Sequence, residues 1–437
     1  MKKYGIPVLV GLVIVAGLVV WYFMWGAKEE GLVTISVINQ SRWSQTIEQA
    51  VEQWNEEHPD RPVVLDQLII GYPQLRNKLL TATGAERPPD ISILDSVWLS
   101  EFAQAGQLAA LDETDPEWYQ NDYQKDFFPV FQRGDTFGGH LWGVRTQTDM
   151  AVLWYRKDWL SQENIAPPET WSDLIRVSQH FQKESVRARY GNSEFPLALP
   201  LGKKARETLV YQLLPLFWSN GGDVLEDGEL LLDSERNVET LQFLKDLVNV
   251  HGVVSPEGTV FEWNRAMKLF ATGRAVMAFG GTYEKKMIQE VSGWDDQAFR
   301  THTGYALIPS GTGGDPSTTA GGMCYVLYER SPHKEMAMEI LKRATSPPIM
   351  KEFLLETYQH PPRISIAESL DETDHPFLAE TAEYLYVARS RPNFPAYSRL
   401  SDALQDMIEL TVRGSLEPSE AVARTVEKIR ALMSDTN

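Results

Sequence analysis

From Leu32 onward, short β-branched runs alternate with amphipathic segments, and this alternation limits the fold more than any other feature of the chain. Residues 32–38 (LVTISVI) read as a strand. Ile47, Ala50, Val51 and Trp54 then recur at helical spacing, and that helix must stop before Pro59. Residues 63–70 form a second strand, and Leu75, Leu79 and Leu80 mark the helix after it. Residues 91–94 form a third strand of the fully buried type. Strand, helix, strand, helix, strand in this order predicts a parallel sheet with right-handed crossovers.

Beyond residue 112 the pattern changes. Residues 112–148 are rich in aromatic residues, Gly and Asp. A strand over 151–155 precedes a mainly helical stretch. Thr170 opens one helix (Leu174, Val177, Ser178, Phe181), and a second (Leu241, Leu244, Leu247, Val248) closes before Gly252. A short helix over 264–272 and strands over 275–279, 305–308 and 325–328 follow, and the rest is helical. With 437 residues and no long linker, two α/β lobes joined by several crossings fit the pattern better than separate beads.

Charge and cysteine content exclude whole classes of function. Sixty acidic against 41 basic side chains give a net charge of −19, which repels nucleic acid. Cys324 is the only cysteine, so no intramolecular disulfide or multi-cysteine metal site can form. The chain lacks H-E-x-x-H, G-x-x-x-x-G-K-[ST] and G-x-S-x-G, and no two histidines are four apart. No metal or other cofactor is expected. Thirteen tryptophans are more than a core houses easily, because each indole N–H needs a partner, so some are expected at a binding surface.

The first thirty residues stand apart. Lys2 and Lys3 precede an uncharged apolar run over 6–25, long enough at about 1.5 Å per residue to cross a bilayer's hydrocarbon core of roughly 30 Å. Trp21, Tyr22 and Trp25 lie toward its outer end, as interfacial rings do. Trp25 makes a poor cleavage site before Ala27, and no cysteine is present for lipid attachment. Residues 1–30 therefore read as an uncleaved signal-anchor tethering the rest outside the cytoplasm. Ordinary cleavage is the alternative and gives the same compartment.

The ordered segments resemble the extracellular solute-binding proteins of carbohydrate ABC importers, the maltose-binding-protein-like family. The resemblance rests on Pro89-Asp90-Ile91-Ser92-Ile93-Leu94-Asp95, Phe102-Ala103-Gln104-Ala105-Gly106-Gln107-Leu108 and Gly139-His140-Leu141-Trp142-Gly143-Val144, with Leu153-Trp154-Tyr155-Arg156-Lys157-Asp158 after them. It continues through Pro168-Glu169-Thr170-Trp171, Asn220-Gly221-Gly222, residues 270–277 (FATGRAVM), Ala320-Gly321-Gly322, Pro361-Pro362-Arg363 and Arg391-Pro392. Each piece is weak alone, but their order over about 400 residues is specific. Arg145 replaces the usual Pro, Met323 stands where many members carry Trp, and the lipoprotein cysteine is missing.

This resemblance implies a two-lobe Venus-flytrap fold with hinge crossovers. One lobe would hold 31–148 plus 304–344, the other 149–303 plus 345–437. The protein would be a monomeric, membrane-anchored receptor that closes on a mono- or disaccharide, or a glucoside, and delivers it to ABC permease subunits. A glycoside-processing enzyme and a sugar-sensing partner are the alternatives. A sugar needs aromatic faces for its C–H surface, carboxylates for hydroxyl donors and Arg forks for hydroxyl acceptors. The expected ligand-binding residues are Arg42, Trp43, Asp95, Asp149, Glu262, Trp263, Tyr283, Gly321, Gly322 and Arg391, with none catalytic. For Asp95 a helix N-cap is the competing role, and for Arg391 an ion pair.

Overall fold

The computed structural model describes residues 32–436. The proposed signal-anchor lies outside them. No helix among the described residues is long and apolar enough to cross a membrane.

Strand β1 (Val33–Asn39) leads into helix α1 (Ser44–Glu57), which buries Ile47, Ala50, Val51 and Trp54 as the spacing predicts. Strand β2 (Val63–Ile69), helix α2 (Tyr72–Gly84) and strand β3 (Ile91–Asp95) follow. Both β2 and β3 pair in parallel with β1. All five residues of β3 are buried: Ile91, Ile93 and Leu94 pack into the core, and the Ser92 hydroxyl is paired with Tyr328 Oη. Before it, the Asp90 carboxylate accepts from Ser36 N, Ser36 Oγ and Ser331 Oγ, tying three segments of this lobe together.

Short strand β4 (Val144–Arg145) precedes β5 (Ala151–Arg156), which opens a second sheet with β6 (Leu197–Ala198), β7 (Met277–Gly281) and β8 (Thr303–Ala306). The order in that sheet is β8-β5-β7-β6. Helix α3 (Glu207–Trp218), almost wholly buried, packs against it. The chain returns through β9 (Thr318–Ala320) to β10 (Met323–Leu327), which inserts antiparallel between β3 and β4 to complete the first sheet as β2-β1-β3-β10-β4. Helices α4 (Lys334–Ala344) and α5 (Pro347–Thr357) cover α1. Strand β11 (Ala388–Ser390) pairs with β9, and α6 (Tyr397–Val412) and α7 (Pro418–Thr436) finish the chain.

The lobe boundaries differ from the expected ones at two places. β8 pairs residue for residue with β5, so residues 303–306 belong to the second sheet and the return falls after them. α5 packs on α1, with Phe353 6.1 Å from Trp43, so the chain stays with the first lobe past residue 345. Three crossovers join the lobes, and bridges Thr148↔His360 and Met150↔Ala320 lay them side by side.

Candidate functional site

Strand ends supply the site. Asp95 ends β3, Asp149 lies in the crossover before β5, Tyr283 sits two residues after β7, and Arg391 follows β11 directly. Side chains at these positions leave the regular backbone ladders and point where the two sheets face each other.

Arg391 is the central group. It is buried, and its two terminal nitrogens go to Asp95 Oδ1 at 3.3 Å and Glu207 Oε1 at 2.8 Å. Burial opposes its charge, but Asp95 and Glu207 outweigh that and push its pKa above the usual value. Asp95 also accepts from Tyr72 Oη at 2.7 Å and caps the following 3-10 turn through Val97 N at 3.3 Å. It is therefore both helix cap and cleft residue. Glu207 accepts in addition from Tyr397 Oη and Ser401 Oγ. A single guanidinium thus spans from the first sheet to a helix of the second lobe.

Asp149 lies beside this network with only 9% of its surface exposed. Burial pushes its carboxyl up, partly offset by the neighbouring Tyr211 and Arg391. The absence of a side chain at Gly321 makes the packing possible: a Cβ there would sit 2.3 Å from Asp149 Oδ1 and 2.9 Å from Tyr211 Cε2. The backbone of Gly321 binds the hinge itself. Its carbonyl accepts from Arg145 Nη1 at 2.6 Å and Thr148 Oγ1 at 3.0 Å, and its N–H donates to Asp149 O. Gly322 takes φ +123°, which a residue with a side chain rarely adopts.

Tyr283 is half-buried, with its ring against Gly281, where a Cβ would meet Cε1 at 2.2 Å. Its ring centroid is 6.1 Å from that of Tyr211, at 55°. Next to it Glu284 is 1% exposed, and its carboxyl is pushed up to about 8 by burial, with Asp149 adding to the rise. Its Oε2 accepts from Gly281 N at 2.8 Å, and its Oε1 has no partner.

The structure brings Asp95, Asp149, Tyr283, Gly321 and Arg391 together and sets Gly322 beside Arg145 in the hinge. Arg42 stays open to solvent near Asp149 and Glu290, and the protein crowded around it lowers its pKa. Three expected residues fall elsewhere. Trp43 is buried against Phe353 in the core of the first lobe, because it closes the 3-10 turn Ser41–Trp43 that leads into α1 and lies one helical turn ahead of the buried Ile47. Glu262 and Trp263 are exposed (Trp263 at 47%), and neither makes an ion pair or ring contact with the cluster. Sequence reasoning missed Tyr72, Glu207, Tyr211, Glu284 and Tyr397. Only Glu207 and Tyr211, one turn apart at the start of α3, carried a readable signal.

The departure Arg145 is not a ligand group. It is 1% exposed, pairs with the fully buried Asp135 through Nε and Nη2, and lies 4.9 Å over the Phe131 ring. Met323 is buried and donates its N–H to Gln147 Oε1.

Two α/β lobes, three adjacent crossovers and polar side chains converging between the sheets define a hinged binding protein. The family model for bacterial extracellular solute-binding proteins matches residues 39–351, and the chain belongs to that family. An arabinooligosaccharide-binding protein of Bacillus subtilis is 23% identical over 307 residues, 67% of this chain. The chain spans just under two thirds of the length of that relative and of its Halalkalibacterium halodurans counterpart, 64% and 63%. A binding protein of Brucella abortus is 23% identical over 99% of both chains. The maltose-bound Thermotoga maritima protein MalE3 superposes with a TM-score of 0.75 at 24% identity, over 92% of this chain and 100% of the other.

Proposed function

We propose that this protein is an extracytoplasmic saccharide receptor that closes its lobes on the ligand and presents it to ABC permease subunits. The observation that carries this reading is the bridge from Asp95 through Arg391 to Glu207, beside Asp149 and the tyrosine pair. A carboxylate accepts from two hydroxyls, a guanidinium donates to two more, and a tyrosine face covers a pyranose C–H surface. Ligand hydroxyls would take over contacts that the side chains now make with each other, so the closed form gains affinity that the open form lacks. The arrangement is one for binding, and no covalent step is assigned to it. Tethering by residues 1–30 and a monomeric state belong to the same reading.

A thermal-shift screen of residues 28–437 against mono-, di- and oligosaccharides tests it. At 100-fold excess over Kd, a specific ligand adds about 2.7 kcal/mol of stability. A screen in which no saccharide raises Tm overturns the reading.

A further inference from the structure

Asp95, Asp149 and Arg391 are nearly closed to solvent, but the space between the lobes is not filled everywhere. A cavity of about 670 Å³ lies where α2 of the first lobe faces α6 and α7. Arg76, Ser398, Arg399, Asp402 and Asp406 are among the residues that line it. Both of its walls continue from the Arg391 cluster. On α2, Arg76 lies one turn after Tyr72, whose hydroxyl donates to Asp95. On α6, Ser398 and Asp402 come next after Tyr397 and Ser401, which hold Glu207.

Tyr72 stands between the cluster and the cavity. Its residue is 41% exposed, yet the protein crowded around it raises its pKa, with Asp95 adding to the rise. The open part of the ring therefore looks into an enclosed space. Its Oη is fixed on Asp95 Oδ2 at 2.7 Å, and Trp98 stacks on it at 5.6 Å and 25°. A ring tied at its edge and backed on one face offers the other with little further ordering, which suits a pyranose C–H surface.

The cavity wall carries charges of both signs, most of them paired. Arg76 pairs with Glu101, and Lys203 Nζ lies 2.8 Å from Asp402 Oδ1 and 2.9 Å from Asp406 Oδ1. Paired charges do not select an ion. The Ser398 hydroxyl and Arg399 guanidinium have no partner among the described residues, and the carboxylate of Asp402 keeps acceptor capacity. Donors and acceptors thus share one face of α6, as a neutral chain of hydroxyls requires. The volume falls within the roughly 300–1,000 Å³ of small-molecule sites and has room for roughly two sugar rings.

We propose that this cavity is an outer subsite of the receptor, and that the ligand is a neutral trisaccharide or longer chain. It would run from Arg391 across the face of Tyr72 to Ser398, Arg399 and Asp402. This inference rests on the receptor reading above and adds the length and direction of the ligand.

Titration calorimetry on residues 28–437 tests it on the saccharide series that the thermal screen selects, from one to five sugar units. Malto-, cello- and xylo-oligosaccharides are the first probes. The tetrasaccharide should bind about tenfold more tightly than the disaccharide of the same series. Arg399→Ala combined with Asp402→Ala, both at exposed positions, should bring that ratio close to 1 while the unliganded melting curve stays cooperative. Tyr72→Leu should lower the ratio as well. Mono- or disaccharides binding as tightly as longer chains would overturn the inference and leave the receptor reading standing, as would a length preference that survives all three substitutions. Absence of binding by every saccharide of any length would remove both.

Discussion

Asp95 was readable from the chain because it ends a strand that residue type locates, whereas Asp149, Tyr283 and Arg391 were expected from the family resemblance, and the short strand Ala388–Ser390 before Arg391 falls in a stretch that reads as helical. Their partners were not readable. Arg391 meets Asp95 across 296 residues and Glu207 across 184, and no local pattern encodes such a meeting. Trp43 shows the opposite failure. Its type suggested a binding ring, but its spacing of four from Ile47 continues the buried stripe of α1 back into the 3-10 turn before it. If Tyr283 covers the ligand, Tyr283→Ala should abolish the ligand-induced thermal shift while the unliganded protein still melts cooperatively. An unaltered response removes that ring from the site. Glu284 gives a pH prediction. Its folded pKa of about 8 lies above its ordinary value of 4.5, so the native state holds a proton that the unfolded chain releases. That contribution is complete below pH 4.5 and is lost as pH rises toward 8. Glu284→Gln should therefore raise Tm relative to the parent at pH 8, with the gap closing near pH 5. Asp149 shifts in the same direction, so the variant keeps part of the slope. Equal melting curves across that range would refute the buried, protonated carboxyl.

The strands and helices themselves were largely evident from period and composition, to within about two residues at their ends. β7 runs Met277–Gly281 against an expected 275–279, because the fully apolar run gives no mark of where pairing starts. Sheet membership was harder. β8 has the same short β-branched and aromatic character whichever sheet it joins, and only its register against β5 settles the matter. Arg145 belongs here too, since its role concerns how crossovers are held. Its guanidinium fastens the β4 crossover to Gly321 in the next one, and Asp135 neutralises it out of reach of water. Asp135→Asn should cost about 3–5 kcal/mol in denaturant unfolding, because the remaining partner is a buried uncompensated charge. Replacing both residues with apolar ones of similar volume should recover most of that loss. A single substitution costing no more than an exposed surface change would show that the pair does not hold the crossovers.

The lobes meet through Arg391, and this has a consequence for the shape of the whole molecule. Removing the bridge takes away contacts that exist only when Asp95 and Glu207 are close together. Arg391→Ala should shift the unliganded protein toward an open form with a larger radius of gyration in small-angle scattering. Identical scattering from parent and variant would mean that the bridge does not bias closure. The resemblance to a hinged family was legible because many weak motifs recur in one order, whereas the interlobe contacts had to be seen in three dimensions. The same interleaved path governs how the polypeptide is made. Ser331 and Asp90 bind each other across 241 residues, and β3 gains its second neighbour only when β10 is available. At ribosomal rates of about 5–20 residues per second, the first lobe waits roughly 10–50 s with an apolar strand edge unpaired. A chain that must leave the cytoplasm before it folds can use that interval, because a translocation channel accepts the nascent polypeptide while its first sheet is still incomplete.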